Sequence, residues 1–339
     1  MACLLWPLSW VYAALVHLRA WGFRFGLLKS DRLPVPVIVV GNLIAGGAGK
    51  TPAVLALTDW LQRQGWRVGI VSRGHGRQEP GCAEVSANSR AIDVGDEPLL
   101  LHRRARVPVV VGRARAAAAR RLLRAHPDVN LVLSDDGLQH RALHRDVQVL
   151  VFDERGAGNG WLLPAGPLRE PMPRACPPNS LVLYNAAQAS TPLPGHVGRR
   201  RLQGVVSWLD WQAGSPASST ALASLAQRSR RVSVWAAAGI AQPERFFDLL
   251  RQAGLHITPQ PLADHHDFAS GPPWPANVPE VVITEKDAVK LKVADLGTTQ
   301  VWVAPLDFSP DASFFAALAT LMQSLSLHPT PPCHGPPPA

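Results

Sequence analysis

The chain has 339 residues, of which 47% are hydrophobic and 17% charged, and its formal net charge is +9. This length and composition allow one large core or, more readily, two, and the positive charge favours an anionic partner such as a phosphorylated ligand, an acidic membrane surface or nucleic acid. The cysteines, Cys3, Cys82, Cys176 and Cys333, lack the spacing of a zinc site or a disulfide framework, which favours a reducing cytosolic compartment.

The first 29 residues contain no acidic residue and interleave aromatic with aliphatic side chains. The uncharged run at 2–18 is at or below the length that spans a bilayer, and the basic residues follow it, which is the reverse of the order in a signal peptide. Aromatic residues at headgroup level and basic residues on anionic phospholipid are typical of a helix lying in a membrane surface. The sequence therefore predicts an N-terminal interfacial membrane helix, and an ordinary core-packing helix is the alternative.

A glycine-rich loop separates a β-branched run at 35–40 from a helical pattern at 53–64. This order is typical of a phosphate-binding loop, in which Lys50 can reach the β- and γ-phosphates and Thr51 can bind Mg²⁺. Because Ile44 stands where the consensus has its first glycine, a glycine-rich turn of another α/β protein is the alternative. The predicted nucleotide-binding residues are Gly46, Gly47, Ala48, Gly49, Lys50, Thr51 and Pro52.

Apolar strands and helical patterns alternate on both sides of this loop. Strands are predicted at 35–40, 67–71, 107–111, 129–133 and 147–152, and helices at 53–64, 96–104 and 113–125. Alternation of this kind predicts an α/β fold with a P-loop NTPase-like parallel sheet covered on both faces. The arginine-rich helix at 113–125 lacks aromatic stacking residues, which argues against a nucleic-acid partner.

Acidic side chains follow two of these elements at positions suited to phosphoryl transfer. Asp135 and Asp136 lie at the end of the strand predicted at 129–133, where a parallel sheet holds its metal ligands, although Asp-Asp-Gly is also a common turn. Asp96 begins the helix at 96–104 and is either a helix cap or a general base that accepts a hydroxyl proton.

A Gly- and Pro-rich segment at 155–180 keeps several polar residues, which favours an ordered loop over a flexible linker. A second α/β pattern follows, with strands at 181–184, 232–236, 280–284 and 300–303, helices at 243–253 and 286–293, and a low-complexity stretch at 212–228. The predicted domains are 1–29 (membrane-associated amphipathic helix), 30–178 (P-loop domain), 179–325 (smaller α/β domain) and 326–339 (disordered tail).

These motifs together give the chain a specific family resemblance. It resembles the tetraacyldisaccharide 4′-kinases of lipid A biosynthesis in Gram-negative bacteria, from the aromatic N-terminal helix to about Phe308. His75 and Ala241 depart from the family pattern, the first from an aromatic position and the second from Gly-Ile-Gly. The motifs are Gly-Gly-Ala-Gly-Lys-Thr-Pro (46–52), Ser-Arg-Gly (72–74), Gly-Asp-Glu-Pro (95–98), Ser-Asp-Asp-Gly-Leu-Gln-His (134–140), Leu-Pro-Ala-Gly-Pro-Leu-Arg-Glu (163–170), Asp-His-His (264–266) and Thr-Glu-Lys-Asp (284–287).

The resemblance implies that ATP·Mg²⁺ phosphorylates the 4′-hydroxyl of a tetraacyl-glucosamine disaccharide 1-phosphate. It implies two α/β/α domains with the active site between them, and monotopic attachment to the cytoplasmic face of the inner membrane. Partners would be the lipid substrate and an anionic phospholipid surface, without nucleic acid or an obligate protein partner.

The resemblance also implies roles for individual residues. Lys50 and Thr51 would hold the phosphates and the metal, and Asp135 and Asp136 would serve the metal and the phosphoryl group, with Asp136 as the metal ligand. Asp96 would be the base, and His265, preferred over His266, would orient it. Candidate acceptor or phosphate contacts are Arg73, Arg115, Gln139, His140, Asn159 and Arg169.

Two other classes of protein could use the same loop. A P-loop GTPase would have an Asn-Lys-x-Asp motif, to which Thr284-Glu285-Lys286-Asp287 is the nearest string. A membrane-bound nucleotide sensor would not need both Asp96 and the Asp135-Asp136 pair.

Overall fold

The computed structural model describes residues 2–77 and 79–329. Its strands are β1 (Val37–Gly41), β2 (Val68–Ser72), β3 (Ala83–Glu84), β4 (Val109–Val111), β5 (Leu131–Asp135), β6 (Val147–Asp153), β7 (Ser180–Asn185), β8 (His196–Leu202), β9 (Val206–Ser207), β10 (Val234–Ala238), β11 (Ile257–Pro261), β12 (Glu280–Thr284), β13 (Gln300–Ala304) and β14 (Leu306–Pro310). Its helices are α1 (Ala2–Arg24), α2 (Lys50–Arg63), α3 (Ala91–Val94), α4 (Asp96–Ala105), α5 (Arg115–Ala125), α6 (Trp208–Gln212), α7 (Ser219–Ser229), α8 (Pro243–Gln252), α9 (Glu285–Ala288) and α10 (Ala312–Ser324), with a 3₁₀ helix at Val293–Asp295.

The large sheet has nine strands in the order β14-β8-β7-β6-β1-β5-β2-β4-β3. Neighbouring strands from β8 to β4 run parallel, and β14 and β3 close the two edges in antiparallel pairing. Because side chains alternate across a sheet, Ile38 and Val40 of β1 pack into one apolar core and Val37 and Val39 into another on the opposite face. Strand β1 lies between β5 and β6, at the reversal of strand order where open parallel sheets bind ligands.

The small sheet has five strands in the order β11-β10-β12-β13-β9, of which the first four are parallel and β9 is antiparallel. Helix α8 buries Phe246, Phe247 and Leu250 in an apolar core with β10 and β12 residues. Both sheets therefore have the parallel α/β architecture that the sequence predicts.

Helix α4 ties the two sheets together. Arg104 extends one guanidinium nitrogen to Glu285 of α9 (2.6 Å) and another to Asp307 of β14 (2.7 Å). The indole of Trp211 donates to the second carboxylate oxygen of Glu285 (3.0 Å). Since Asp96 is the first residue of α4, these contacts fix its position relative to the small sheet.

Each strand predicted from the sequence overlaps an observed strand, and the predicted helices at 53–64, 96–104, 113–125 and 243–253 correspond to α2, α4, α5 and α8. The α/β fold class is confirmed. The predicted helix at 286–293 is wrong as a single helix, because the chain forms the short α9 and then a 3₁₀ turn. Residues 212–228, predicted as low complexity, contain most of α7, whose Leu222 and Leu225 are buried.

The large sheet continues past the domain boundary predicted between residues 178 and 179. Strands β7 and β8 extend it, and β14 returns from the small sheet to its edge. The predicted boundary therefore does not separate the two sheets. Strand β8 contains the run Arg199–Arg201 and β14 ends in Pro310, so neither has the apolar pattern of a central strand. Of the predicted disordered tail, residues 330–339 lie outside the described residues.

Helix α1 packs one face against the loop at 161–169 and exposes the other. The hydroxyl of Ser9 donates to the carbonyl of Leu162 and accepts from the amide of Ala165, each at 3.0 Å. The predicted N-terminal helix is present, and within residues 2–77 and 79–329 no helix combines the length and apolar content needed to cross a membrane. Its exposed apolar side chains include Trp6, Leu8, Trp10, Val11, Leu15, Leu18 and Trp21.

Candidate active site

The phosphate loop follows β1 and is shaped by Asn42. The Asn42 side chain donates to two carbonyls of the loop, and its Oδ1 accepts from Lys50 Nζ at 3.1 Å. Gly46 and Gly49 have φ angles of +88° and +79°, a left-handed conformation that glycine adopts without steric cost. Lys50 and Thr51 begin α2 directly afterwards, so the free N–H groups of the helix start and the ammonium group meet at one place.

Asn185 and Arg200, which the sequence interpretation missed, support this loop from β7 and β8. Asn185 donates to the carbonyl of Ala48 (3.1 Å) and accepts from Arg200 Nε (3.0 Å). A Cβ atom at Gly49 would lie 1.9 Å from the Asn185 amide nitrogen and 2.5 Å from an Arg200 nitrogen, so this position requires glycine. Burial lowers the pKa of Arg200, whose guanidinium lines the cavity at the loop. Because β8 does not have an apolar strand pattern, no signal in the sequence marked this arginine.

Asp135 is the last residue of β5 and lies beside β1 in the sheet. Its Oδ2 accepts from the Ser72 hydroxyl at 2.8 Å, whereas its Oδ1 is buried and has no hydrogen-bond partner within the described parts of the chain. Burial, with the charges of Glu97 and Asp136, raises the pKa of Asp135 to about 7. A buried carboxylate oxygen without a partner favours an incoming donor or cation.

Asp136 has a left-handed backbone with φ +48° and points toward the phosphate loop. Its carboxylate lies 3.5 Å from Lys50 Nζ and accepts from Arg169 Nη1 at 3.2 Å on each oxygen. Burial alone would raise the pKa of Asp136, but the charges of Lys50 and Arg169 outweigh it and hold the pKa below its usual value. Asp136 is therefore an ionised carboxylate between two cations.

Asp96 and His265 meet across the two sheets. His265 Nδ1 lies 2.9 Å from Asp96 Oδ2, while the ring of His266 packs on Phe268 with 4.7 Å between centroids. Burial would raise the pKa of Asp96, but the hydrogen bond from His265 and the nearby lysine charge outweigh it and lower the pKa. The hydrogen bond to Asp96 raises the pKa of His265. The structure thus brings together the predicted base and, of the two adjacent histidines, the one that was preferred.

Lys286 completes this group and was not among the predicted site residues. Its Nζ lies 3.3 Å from His265 Nε2, 3.2 Å from Asp264 Oδ1 and 4.0 Å from Asp96 Oδ2. An ammonium group only donates, so beside a charged Lys286 the neutral His265 accepts at Nε2 and carries its proton at Nδ1, which donates to Asp96. The Thr-Glu-Lys-Asp string at 284–287 was the signal for this residue in the sequence.

One cavity of about 410 Å³ joins the phosphate loop to the Asp96–His265–Lys286 group. The predicted residues Lys50, Thr51, Asp135 and Asp136 line it, as do two of the predicted acceptor contacts, Arg73 and Arg169. Asp96 itself is 5% exposed and lies just beneath the wall formed by Glu97 and His265. The other lining residues at this wall and at the loop include Gly46, Gly47, Ala48, Gly49, Pro52, Ser72, His75, Arg200, Asp264 and Lys286.

The other predicted acceptor contacts do not line this cavity. Arg115 is buried, donates to the carbonyls of Gly112 (2.6 Å) and Asp135 (3.3 Å), and has its pKa lowered to about 10 by burial. Gln139 donates to the carbonyl of Asn42 at 3.3 Å. Both side chains therefore support the backbone beneath the site.

His140 and Asn159 are also absent from the lining of this cavity. Burial and the charges of Arg115 and Arg73 lower the pKa of His140 to about 4, so its ring is neutral near pH 7. The Asn159 amide donates to the carbonyl of Ala165 at 3.0 Å and accepts from the amide of Trp161 at 3.1 Å. Asn159 therefore shapes its own loop.

A second cavity of about 760 Å³ lies between α1 and the large sheet. Its walls include Trp21 and Phe23 of α1, and Leu138 and Leu143 of the segment between β5 and β6. Cationic side chains also line it, namely Arg24, Arg141 and Arg145. Adjacent residues line the two cavities, Arg169 the first and Glu170 the second.

Comparisons with known proteins agree with this geometry. The family model of LpxK, tetraacyldisaccharide-1-P 4′-kinase, matches residues 1–323. A tetraacyldisaccharide 4′-kinase from Methylibium petroleiphilum is 55% identical over 325 residues, covering 94% of this chain and 89% of that protein. One from Leptothrix cholodnii is 54% identical over 316 residues, covering 92% and 89%.

A solved structure of LpxK from Aquifex aeolicus, described as a complex with ATP, is similar with a TM-score of 0.77 and 26% sequence identity, covering 96% of this chain and 99% of that one. The resemblance drawn from the motifs is thereby confirmed, and with it the predicted phosphotransferase function. The chain belongs to the tetraacyldisaccharide-1-P 4′-kinase family, the lipid kinases of lipid A biosynthesis.

Proposed function

We propose that the cavity between the two sheets is where the γ-phosphoryl group of ATP passes to the 4′-hydroxyl of a tetraacyl-glucosamine disaccharide 1-phosphate, with Asp96 as the general base. The observation that carries this proposal is the position of the Asp96–His265–Lys286 group across one cavity from the phosphate loop. A nucleotide-hydrolysing enzyme or a nucleotide sensor would not need a carboxylate held in this way by a second sheet.

The phosphate groups of the nucleotide would lie at Gly46–Thr51. Backbone N–H groups of the loop and of the first turn of α2 point at this place, and Lys50 adds a charge that is held by Asn42 and Asp136. Arg200 reaches the same loop from β8 without a carboxylate partner within the described chain. The charges of Glu154 and Asp153 act on this guanidinium only from a distance, and a polyphosphate would give it a direct anionic partner.

The residues at the loop also fit a Mg²⁺ ion. The Thr51 hydroxyl and the Asp136 carboxylate line the cavity, and the unpartnered Oδ1 of Asp135 is buried beside them. Hydroxyl, carboxylate and phosphate oxygens are the ligands that Mg²⁺ prefers. Thr51 and Asp136 would hold the ion, with Asp135 next to it. Bound there, Mg²⁺ would neutralise charge on the transferring phosphate.

Asp96 would take the proton of the acceptor hydroxyl. Its low pKa keeps it ionised near neutral pH, and the hydrogen bond from His265 fixes the direction of the carboxylate. A carboxylate has acceptor positions left after binding His265 and the Glu97 amide, so it can also accept from a substrate hydroxyl. Lys286 holds His265 in the tautomer that donates to Asp96.

The lipid acceptor would extend from this cavity toward α1. The cavity under α1 combines apolar walls with arginines, which suits acyl chains and a sugar phosphate. The exposed aromatic and aliphatic residues of α1 would lie in the surface of the inner membrane, on its cytoplasmic face. Acceptor and enzyme would then share one surface.

The direct test is transfer of radiolabelled γ-phosphate from ATP to a tetraacyl-disaccharide 1-phosphate in mixed micelles. We expect a labelled lipid with the wild-type protein and almost none with Asp96→Asn. Labelled phosphate released to water without labelled lipid would contradict the kinase assignment. Equal labelling of lipid by both proteins would contradict the role of Asp96 alone.

Membrane attachment has its own test, sedimentation with vesicles of phosphatidylglycerol and phosphatidylcholine. Trp10→Glu combined with Leu18→Glu places charges on the exposed face of α1 and should reduce sedimentation. The matched control is Leu209→Glu, which changes an equally exposed leucine on α6. If all three proteins sediment alike, α1 does not bind the membrane.

A further inference from the structure

Helix α1 is hydrogen-bonded to the loop that delivers Arg169 to the phosphate site. Besides the two bonds of Ser9, the Tyr12 hydroxyl donates to the carbonyl of Arg169 at 3.0 Å. The contact joins residues 157 positions apart in the sequence. The helix is therefore attached at both ends of the segment 162–169.

Arg169 is held on three sides. Its carbonyl accepts from Tyr12, its amide donates to the carbonyl of Leu43 in the phosphate loop at 2.6 Å, and its guanidinium donates to both oxygens of Asp136. Asp136 in turn pairs with Lys50. One continuous path of hydrogen bonds and ion pairs thus leads from the N-terminal helix to the lysine of the phosphate loop.

We propose that Tyr12 is a positioning residue for the kinase reaction. Through its hydrogen bond to the Arg169 carbonyl, Tyr12 keeps the Arg169 guanidinium on Asp136. Full turnover then requires that the N-terminal helix is packed against the loop at 161–169. The inference rests on the proposed roles of Arg169 and Asp136. It assigns to α1 a task in catalysis besides attachment to the membrane.

The environment of Tyr12 suits this task. Its ring is half-buried on the inner face of α1, while the two preceding residues, Trp10 and Val11, are more than half exposed. Burial and the charge of Glu170 raise the pKa of the Tyr12 hydroxyl, so the hydroxyl keeps its proton and remains a donor near neutral pH. A hydroxyl held in this way has one fixed acceptor, the Arg169 carbonyl.

The same path connects binding of α1 to a lipid surface with the position of Arg169. Residues Ser9 and Tyr12 face the loop, whereas the apolar residues between and beyond them face outward. Burying the outer face in a membrane favours the helical, docked state of α1, because its exposed apolar surface is then removed from water. Docking presents the Tyr12 hydroxyl to Arg169.

The test removes one oxygen atom in Tyr12→Phe. The matched control is Tyr184→Phe, because the chain has two tyrosines and Tyr184 also donates to a backbone carbonyl, that of Leu193 at 2.6 Å, away from the cavity. We expect kcat of Tyr12→Phe to fall about fivefold to tenfold, the size of one lost hydrogen bond, with the KM for ATP and vesicle binding unchanged. Tyr184→Phe should keep its kcat.

A double-mutant cycle with Arg169→Lys separates positioning from general stability. If Tyr12 acts through Arg169, Tyr12→Phe should lower kcat much less in the Arg169→Lys background than in the wild type. The same factor in both backgrounds would overturn the proposal, as would a wild-type kcat for Tyr12→Phe.

Hydrogen exchange gives a readout that does not depend on lipid kinase activity. In Tyr12→Phe, the peptide that contains the Arg169 amide should exchange faster, while peptides of the small sheet keep their rates. Faster exchange throughout the chain, or no change at Arg169, would overturn the proposal even if the proposed chemistry stands. If the wild-type protein does not phosphorylate the lipid, but Tyr12→Phe still speeds exchange at the Arg169 amide, the result contradicts the proposed function and supports the contact of Tyr12 with Arg169.

Discussion

The two ends of the proposed active-site cavity are built in different ways. At the phosphate end, every side chain follows β1 or β5, two adjacent strands of one sheet: Lys50 and Thr51 begin α2 after the loop that follows β1, and Asp135 and Asp136 lie at the end of β5. At the base end, Asp96 comes from α4 of the large sheet, whereas His265 and Lys286 come from the small sheet. The first end is a property of one sheet and the second is a property of the contact between two.

The two ends also differ in their charged groups. At the phosphate end, cations gather around Asp136 and leave Lys50 and Arg200 facing the cavity, which suits a polyanion. At the base end, three carboxylates, Asp96, Glu97 and Asp264, and His265 surround one lysine, so the group is close-packed and formally negative. Variants of the two ends should therefore fail differently, the first in nucleotide binding and chemistry and the second in chemistry alone.

The largest effect is expected for Lys50→Ala. It removes the ammonium group at the proposed phosphate site and leaves Asp136 paired with Arg169. We expect turnover to fall by about 10³-fold or more and ATP binding to weaken, measured by label transfer and by isothermal titration. Lys292→Ala, an exposed lysine of the small-sheet region, is the control and should leave both quantities unchanged. Intact turnover in Lys50→Ala would contradict the assignment of this loop as the phosphate-binding part of the active site.

Asp96→Asn should come next, with a different pattern. The amide keeps the shape of the side chain but cannot accept a proton, so turnover should fall by about 10²- to 10⁴-fold while the Kd for ATP stays within about twofold. The control is Asp93→Asn, three residues earlier, where a partly exposed aspartate pairs with Arg90. A large loss of ATP affinity in Asp96→Asn would mean that the two ends are not separate.

The sequence predicted the phosphate end better than the base end for a physical reason. A phosphate loop is local, because a strand, a glycine turn and a helix start must be contiguous to aim their N–H groups at one point. The same holds for Asp135 and Asp136 at a strand end. The contact of Asp96 with His265 joins residues 169 positions apart, and it was predicted from family resemblance and not from spacing.

The residues that were missed or misjudged depend on packing between distant segments. Arg200 comes from β8, a strand with an arginine run and no apolar pattern, and Arg115 proved to be buried beneath Asp135 instead of facing a substrate. A charged residue on an amphipathic helix has the same pattern in the sequence whether it faces water, a ligand or a backbone carbonyl. Which of these it contacts is decided by the neighbouring strand, which sequence periodicity does not report.

The pH dependence of kcat/KM in Lys286→Met tests how the charge of Lys286 acts on Asp96. In the wild type the charge of Lys286 helps to hold the pKa of Asp96 below its usual value, so Asp96 stays ionised down to acidic pH. Without that charge the pKa of Asp96 rises, and kcat/KM should begin to fall at a higher pH as the solution is acidified. A moderate loss of turnover, about tenfold or less, is expected at pH 8. Lys292→Met is the control, and an acid limb at the same pH in all three proteins would remove Lys286 from the base group.

The smallest effect is expected for Asn159→Ala, which tests whether the Asn159 side chain contacts the lipid acceptor. Family resemblance implies that Asn159 could touch the acceptor, but its side chain is bonded to Ala165 and Trp161 within its own loop. Losing these bonds should lower the free energy of unfolding by about 1–2 kcal/mol, measured by urea denaturation, and leave turnover within about twofold of the wild type. If instead the KM for the lipid rises strongly at unchanged stability, Asn159 contacts the acceptor, and the cavity must extend along the loop at 155–168 beyond the two ends described above.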